Sequence, residues 1–121
     1  MAKHILIPSE YSDPSQVGGS HFGRAKWYVL LNKKGEVDLA IPGGPDTGHG
    51  LIFKHLKDNL PEAVLISGAG THAFKVMEKW GVPPSHYPQG VSMKDATIAY
   101  FDKKLLPFNE DEAHACKTHV H

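Results

Sequence analysis

The pattern of apolar and polar positions changes period midway along the chain. Residues 4–8 (HILIP) form a short unbroken apolar run and predict a first strand. Residues 26–32 (KWYVLLN), rich in aromatic and branched side chains, predict a second. Residues 37–41 (VDLAI) alternate and should pair back as a hairpin across Lys33-Lys34-Gly35-Glu36, with Gly35 at the turn. From there the period lengthens. Ile52, Leu56 and Leu60 fall on one face of a helix predicted over 51–60, which Pro61 ends. Residues 63–66 (AVLI) read as a buried strand. A second helix spans 71–80, with Phe74 and Met77 facing inward, and is stopped by Gly81 and the Pro83-Pro84 pair. Residues 85–88 (SHYP) leave room only for a short edge strand. Ser92-Met93-Lys94-Asp95 resembles a capping box and opens a third helix over 93–101. Beyond residue 103 the periodicity is lost.

The order is thus a strand, an antiparallel hairpin, and then helix–strand–helix–strand–helix. One mixed sheet with helices on its faces fits this order, with the 26–32 strand antiparallel to the 4–8 strand. No internal repeat and no interdomain linker is visible. A single domain over 1–106 and a flexible C-terminal tail over 107–121 are expected.

The chemistry concentrates in the connections. Gly18-Gly19-Ser20-His21-Phe22-Gly23-Arg24-Ala25 lies between the first strand and the hairpin. Its glycines admit close backbone approach and positive φ. His21 offers a nitrogen ligand, Arg24 a charge-assisted donor, and Phe22 an anchor into the core. The plainer alternative is a loop in which His21 and Arg24 only hold a turn. Gly43-Gly44-Pro45-Asp46-Thr47-Gly48-His49-Gly50 opens the first helix, where free N–H groups attract anions. Gly44 and His49 are candidates there, against a plain connector with Asp46 or Thr47 as N-cap. Gly68-Ala69-Gly70-Thr71-His72-Ala73 follows a strand and formally matches a dinucleotide fingerprint. The acid required about 20 residues on is met only by Asp95, in a predicted helix, and the chain is too short for two mononucleotide-binding halves. Gly68, Gly70 and His72 are better read as a tight turn aimed at the sheet crevice. In the tail, Cys116, His119 and His121 are suitable metal ligands, but their spacing matches no common zinc finger.

Composition narrows the classes. The 121 residues and 40% hydrophobic content suit one ordinary domain with its own core. Lys+Arg and Asp+Glu are equal at 13 each, so no general attraction to nucleic acid or anionic membrane is expected. The lone cysteine, Cys116, forms no disulfide framework, and the N-terminal apolar run is too short for a signal peptide. A cytoplasmic protein is expected. The nine histidines are the unusual feature; most should be ordinary surface or core residues. Neither G-x-S-x-G nor G-x-x-x-x-G-K-[ST] occurs. A two-metal nuclease needs converging carboxylates, and Asp38 is the only acid well inside a predicted strand.

The Ser20-His21-Phe22-Gly23-Arg24-Ala25 segment entering a strand resembles the signature of the dinitrogenase iron–molybdenum cofactor-binding family. That family includes NifX, the NafY core, the NifB C-terminal region and the orange protein. The resemblance continues through Gly43 to Gly50, Val64 to Gly70 and Trp80-Gly81-Val82, covering roughly residues 4–106. It implies a ribonuclease-H-like α/β fold with a mixed five-stranded sheet. It also implies non-covalent binding of an iron–molybdenum or related metal–sulfur cluster rather than turnover, with His21 as a cluster ligand. Its partners would be metallocofactor biosynthesis proteins or a cluster-accepting apoprotein. Two other readings remain open: an enzyme binding a small phosphorylated or nucleotide ligand in the same crevice, and a regulator that senses a cluster.

Overall fold

The structure, a computed structural model, describes residues 4–19, 22, 25–44, 52–67 and 71–105, with the backbone alone for Thr71 and His72. Its elements are β1 (His4–Ser9), β2 (Trp27–Asn32), β3 (Val37–Pro42), α1 (Ile52–His55), β4 (Val64–Ile66), α2 (Thr71–Trp80), β5 (Pro84–His86) and α3 (Met93–Phe101). The five strands make one mixed sheet in the order β3-β2-β1-β4-β5. β1 is antiparallel to β2 and parallel to β4, and β5 is parallel to β4. The expected mixed sheet with flanking helices and the expected direction of the second strand are therefore both present.

β1 is buried along its whole length because the sheet is covered on both faces. Side chains alternate between the faces. Leu6, Tyr28, Leu30, Val64 and Ile66 meet Ile52, Phe53 and Leu56 of the α1 region and Met77 of α2. On the other face Ile5, Ile7, Val29, Leu31 and Leu65 meet Met93 and Ala96 of α3. β3, an edge strand, keeps only half-buried or exposed positions, and the alternation expected of Val37, Leu39 and Ile41 is not kept: a register shift opposite Leu30 and Leu31 leaves Leu39 exposed and puts Val37 and Ile41 against opposite clusters.

α1 is shorter than the predicted 51–60 helix. The Leu56 N–H is shared between the Ile52 and Phe53 carbonyls, and Asn59 bonds back to Leu56, so the chain tightens into turns after His55. The buried His4 explains part of this ending. Its Nε2–H donates to the Asn59 carbonyl at 3.1 Å, while Nδ1 lies 3.7 Å from Asp38. His4 is thus one of the ordinary core histidines.

Two helices end in the same motif with different residues. At the end of α2, Val82 N–H bonds to the Met77 carbonyl and Gly81 N–H to Glu78, with Gly81 at φ 71°. At the end of α3, Lys104 N–H bonds to Ala99 and Lys103 N–H to Tyr100, with Lys103 at φ 60°. Both are Schellman endings, which favour glycine at the left-handed position. At the start of α3, the Ser92 hydroxyl accepts from Asp95 N–H at 3.1 Å, as the capping pattern predicts.

The two ends of α3 should respond to substitution with opposite signs. Ser92→Ala should destabilise by about 1 kcal/mol through loss of the cap. Lys103→Gly should stabilise by about 0.5–1 kcal/mol by relieving the left-handed backbone. Urea unfolding of the two variants beside wild type measures both.

Candidate functional site

Sheet direction gathers the glycine-rich motifs. β1, β4 and β5 are parallel, so their C-terminal ends lie together. β2 begins and β3 ends at the same edge, where Ser9 pairs with Trp27 and Trp27 with Pro42. The connections after β1, β3, β4 and β5 therefore all leave from one end of the sheet. Loops at the carboxyl ends of parallel strands are the usual place for a binding crevice in such sheets.

The first connection is held to its neighbours by specific bonds. Gly19 N–H donates to the Pro8 carbonyl at 2.8 Å, and the Gly19 carbonyl accepts from the Ser67 N–H at 3.2 Å and from the Ser67 hydroxyl. Gly19 thus bridges the ends of β1 and β4. Gly18 N–H donates to the Tyr87 hydroxyl at 2.8 Å, which in turn donates to the Val91 carbonyl. Gly19 sits at φ 83°, and a Cβ there would lie 2.6 Å from Tyr87 Cγ. Burial pushes the Tyr87 phenol above its ordinary value, opposed by the Gly18 N–H and reinforced by Asp95, so it stays a protonated donor.

Upstream, the same connection lies along α3. Met93 N–H donates to the Gln16 carbonyl and Lys94 N–H to Pro14, so first-turn donors of that helix are already used. Asp13 closes a turn on Ser15, whose amide and hydroxyl hold the carboxyl below its usual range. Downstream, Phe22 is buried and stacks on Phe53 at 5.6 Å, with Tyr28 edge-on at 6.0 Å. It is the anchor that its place in the motif suggests; burying a Phe contributes about 1.5–3 kcal/mol. The second motif meets the end of the first. Gly43 N–H donates to the Lys26 carbonyl at 2.6 Å, and a Cβ on Gly43 would lie 2.0 Å from the Ala25 oxygen.

The motif beginning at Gly18 thus touches the one beginning at Gly43 through Ala25, and bonds to Ser67, the residue that precedes Gly68 in the sequence. Of the candidate residues, Gly19 and Gly44 are described; a Cβ on Gly44 would meet nothing within 4 Å. Ser20, His21, Arg24, His49, Gly68, Gly70, Cys116, His119 and His121 lie outside the described residues, as does the side chain of His72 in the first turn of α2. The amides of Gly18 and Gly19 are committed to Tyr87 and Pro8, so these glycines contribute position rather than donors.

Three residues were missed from sequence. Ser67 and Tyr87 make the long-range bonds just described. His86, half-buried, ends β5 opposite Ile66 and so shares the α1–α2 face. Alternation through Ser85-His86-Tyr87 was the available signal, since it puts His86 and Tyr87 on opposite faces at a strand end.

Among the described residues no three His, Cys, Asp or Glu side chains gather as a metal site, and no helix is long and apolar enough to cross a membrane. An apolar groove of about 340 Å³ beside Phe74, Met77 and Val82 lies at the opposite end of the sheet. A polar cleft of about 610 Å³ beside Lys33, Glu62 and Tyr100 lies there too.

No protein-family model and no curated protein matches the chain. Solved structures do match. The apo form of the orange protein from Desulfovibrio gigas superposes with a TM-score of 0.72 at 17% identity, covering 90% of this chain and 98% of that one. A NifB-like protein of the DUF35 family from Thermotoga gives 0.68 at 23%, covering 88% and 93%. A dinitrogenase-like protein from Methanocaldococcus jannaschii gives 0.62 at 13%, covering 90% and 97%. The chain shares their fold over nearly its whole length. These neighbours are consistent with the family that the glycine motif resembles.

Substitution at the glycines should separate packed positions from open ones. Gly43→Ala and Gly19→Ala should each destabilise by about 2 kcal/mol or more, from backbone contact and from left-handed strain with ring contact. Gly44→Ala should stay within about 0.5 kcal/mol of wild type. Thermal melting of the three proteins tests the ranking.

Proposed function

We propose that this chain is a non-catalytic member of the dinitrogenase iron–molybdenum cofactor-binding family with a ribonuclease-H-like fold. It binds and carries or stores an iron–molybdenum or other molybdenum-containing metal–sulfur cluster as cargo. The observation that carries this reading is that the chain entering all three glycine motifs leaves one sheet end, where Gly19 bonds to Ser67 at the end of β4 and Gly43 packs on Ala25. The strand order β3-β2-β1-β4-β5, with the first three strands antiparallel, supports the fold label.

Ser20 and His21 are the only two residues between Gly19, which is bonded to two strand ends, and Phe22, which is buried in the core. A ligand on so short a span is tied closely to the scaffold, and His21 would supply imidazole to iron or molybdenum. Arg24, two residues beyond Phe22, would pair with anionic sulfide, and His49, His72 and the Gly68–Gly70 turn belong to neighbouring connections. Cys116, His119 and His121 would form a separate, weaker metal site in the tail. The acids speak against two-metal nuclease chemistry on this fold. Asp38 is the only acid in the described strands, and it sits by His4, away from the loop end. A balanced net charge supports protein partners over nucleic acid: cofactor biosynthesis proteins, or an apoprotein that accepts the cluster.

His21→Ala should weaken cluster retention roughly 10- to 150-fold, equivalent to about 1.5–3 kcal/mol, while leaving the melting temperature of the apo protein close to wild type. Arg24→Ala should act in the same direction, and Arg24→Lys should recover only part of the loss because the planar fork is gone. Anaerobic titration by visible absorbance, with melting of the same samples, checks both quantities. Unchanged affinity in His21→Ala ends its assignment as a ligand. Cys116→Ser should leave folding intact and reduce only divalent metal uptake, read by metal analysis.

A further inference from the structure

The side chain that organises the loop end is one that the glycine motifs do not contain. Tyr87 follows directly on β5, and its own N–H donates to the Ile66 carbonyl at 2.9 Å, so its backbone continues the sheet. Its ring is buried against Gly19. A residue needed only for packing would be served by Phe. The hydroxyl adds two further bonds, accepting from Gly18 N–H and donating to the Val91 carbonyl. The first of these spans 69 residues of sequence. One phenol therefore joins the connection after β1 to the connection between β5 and α3.

We propose that Tyr87 is a positioning residue for cargo binding: its hydroxyl fixes Gly18 and Gly19 against the β5–α3 connection, and so sets the point from which the rest of the glycine motif departs. This rests on the cargo reading above. The physical reason is satisfaction of buried polar groups. Without the hydroxyl, the Gly18 amide and the Val91 carbonyl lose a partner in a part-buried place, and the loop must shift to recover one. The ring still fills its site against Gly19, so the core is kept. Met93 to Gln16, Lys94 to Pro14 and the Val17–Ser92 bridge tie the upstream part of this connection to α3 and its cap, and Gly19 bonds to Pro8 and Ser67 at the ends of β1 and β4; the phenol is what ties the Gly18 amide to the β5–α3 connection.

The test uses Tyr87→Phe, wild type, and Val82→Ala as a stability control, since Val82 is buried at the opposite end of the sheet. Amide hydrogen exchange of the apo proteins is read at Gly18, Gly19 and Ser67, with Leu30 and Leu31 of β2 as core references. Anaerobic titration with tetrathiomolybdate, a simple molybdenum sulfide anion, is then followed by visible absorbance. Tyr87→Phe should speed exchange at the three loop-end amides by about tenfold or more, with Leu30 and Leu31 unchanged. Its affinity for tetrathiomolybdate should fall about tenfold. Val82→Ala should melt at least as low as Tyr87→Phe yet bind like wild type. Unchanged exchange at Gly18 overturns the tie. Faster exchange with wild-type affinity, or an equal loss of affinity in Val82→Ala, overturns the positioning role. Wild-type protein that takes up no tetrathiomolybdate overturns the cargo reading itself, whatever the exchange shows.

Discussion

β1 bonds antiparallel to β2 along one edge and parallel to β4 along the other, and it is buried from His4 to Ser9. The loop end of the molecule depends on this change of partner type. An antiparallel neighbour begins where β1 ends, and a parallel neighbour ends there too. Chain leaving β1, β3, β4 and β5 is thereby brought to one edge, although the glycine motifs are spread over about 50 residues. A wholly antiparallel sheet would have split them between two edges. The covering layers follow from the same strand, since burial on both faces requires α1 and α2 on one side and α3 on the other.

The switch from antiparallel to parallel pairing leaves a seam at the ends of β1 and β4, and the Gly19 main chain occupies it. Its amide completes β1 and its carbonyl completes β4 through Ser67. A side chain has no room here, because Tyr87 closes the remaining side. The cost is that these groups are spent on the protein. Donors for an anionic cargo must then come from residues beyond the seam. That gives Arg24 and His21 a larger share under the proposed reading than glycine amides alone would have.

The elements were largely legible because each is short and carries its own period. The unbroken HILIP and AVLI runs marked strands buried on both faces, and Gly81 marked a Schellman ending; VDLAI marked a strand, but not its faces, because the register shift beside Leu30 and Leu31 turns Val37 and Ile41 to opposite clusters. α1 was overestimated because the positions of Ile52, Leu56 and Leu60 fix burial rather than hydrogen bonding. Leu56 is buried and Leu60 packs on the same core, although the helix has already broken. Phe22 was legible as an anchor, being the one large apolar residue in a run of small and polar ones. Ser67 and Tyr87 were not, because their partners lie 48 and 69 residues away and no local pattern encodes such a bond. His21, Arg24 and His49 were legible as chemistry, but their geometry lies outside the described residues.

Under the proposed reading, stability and ligand contact are separated along the sheet axis. The far end holds the His4 bonds to Asn59 and Asp38, the Asn32 turn whose side chain accepts from Lys34 and Glu36, and both Schellman endings. The two apolar clusters run through the middle of the sheet and draw on every helix. At the loop end, Phe22 and Ala25 join one cluster and Tyr87 the other, and Gly18 lies against Ile7 and Met93. Two of these residues join the two regions. Phe22 and Tyr87 have one part in the packed interior and the other in direct continuity with the glycine motif. Substitutions at these two positions therefore couple folding to loop geometry.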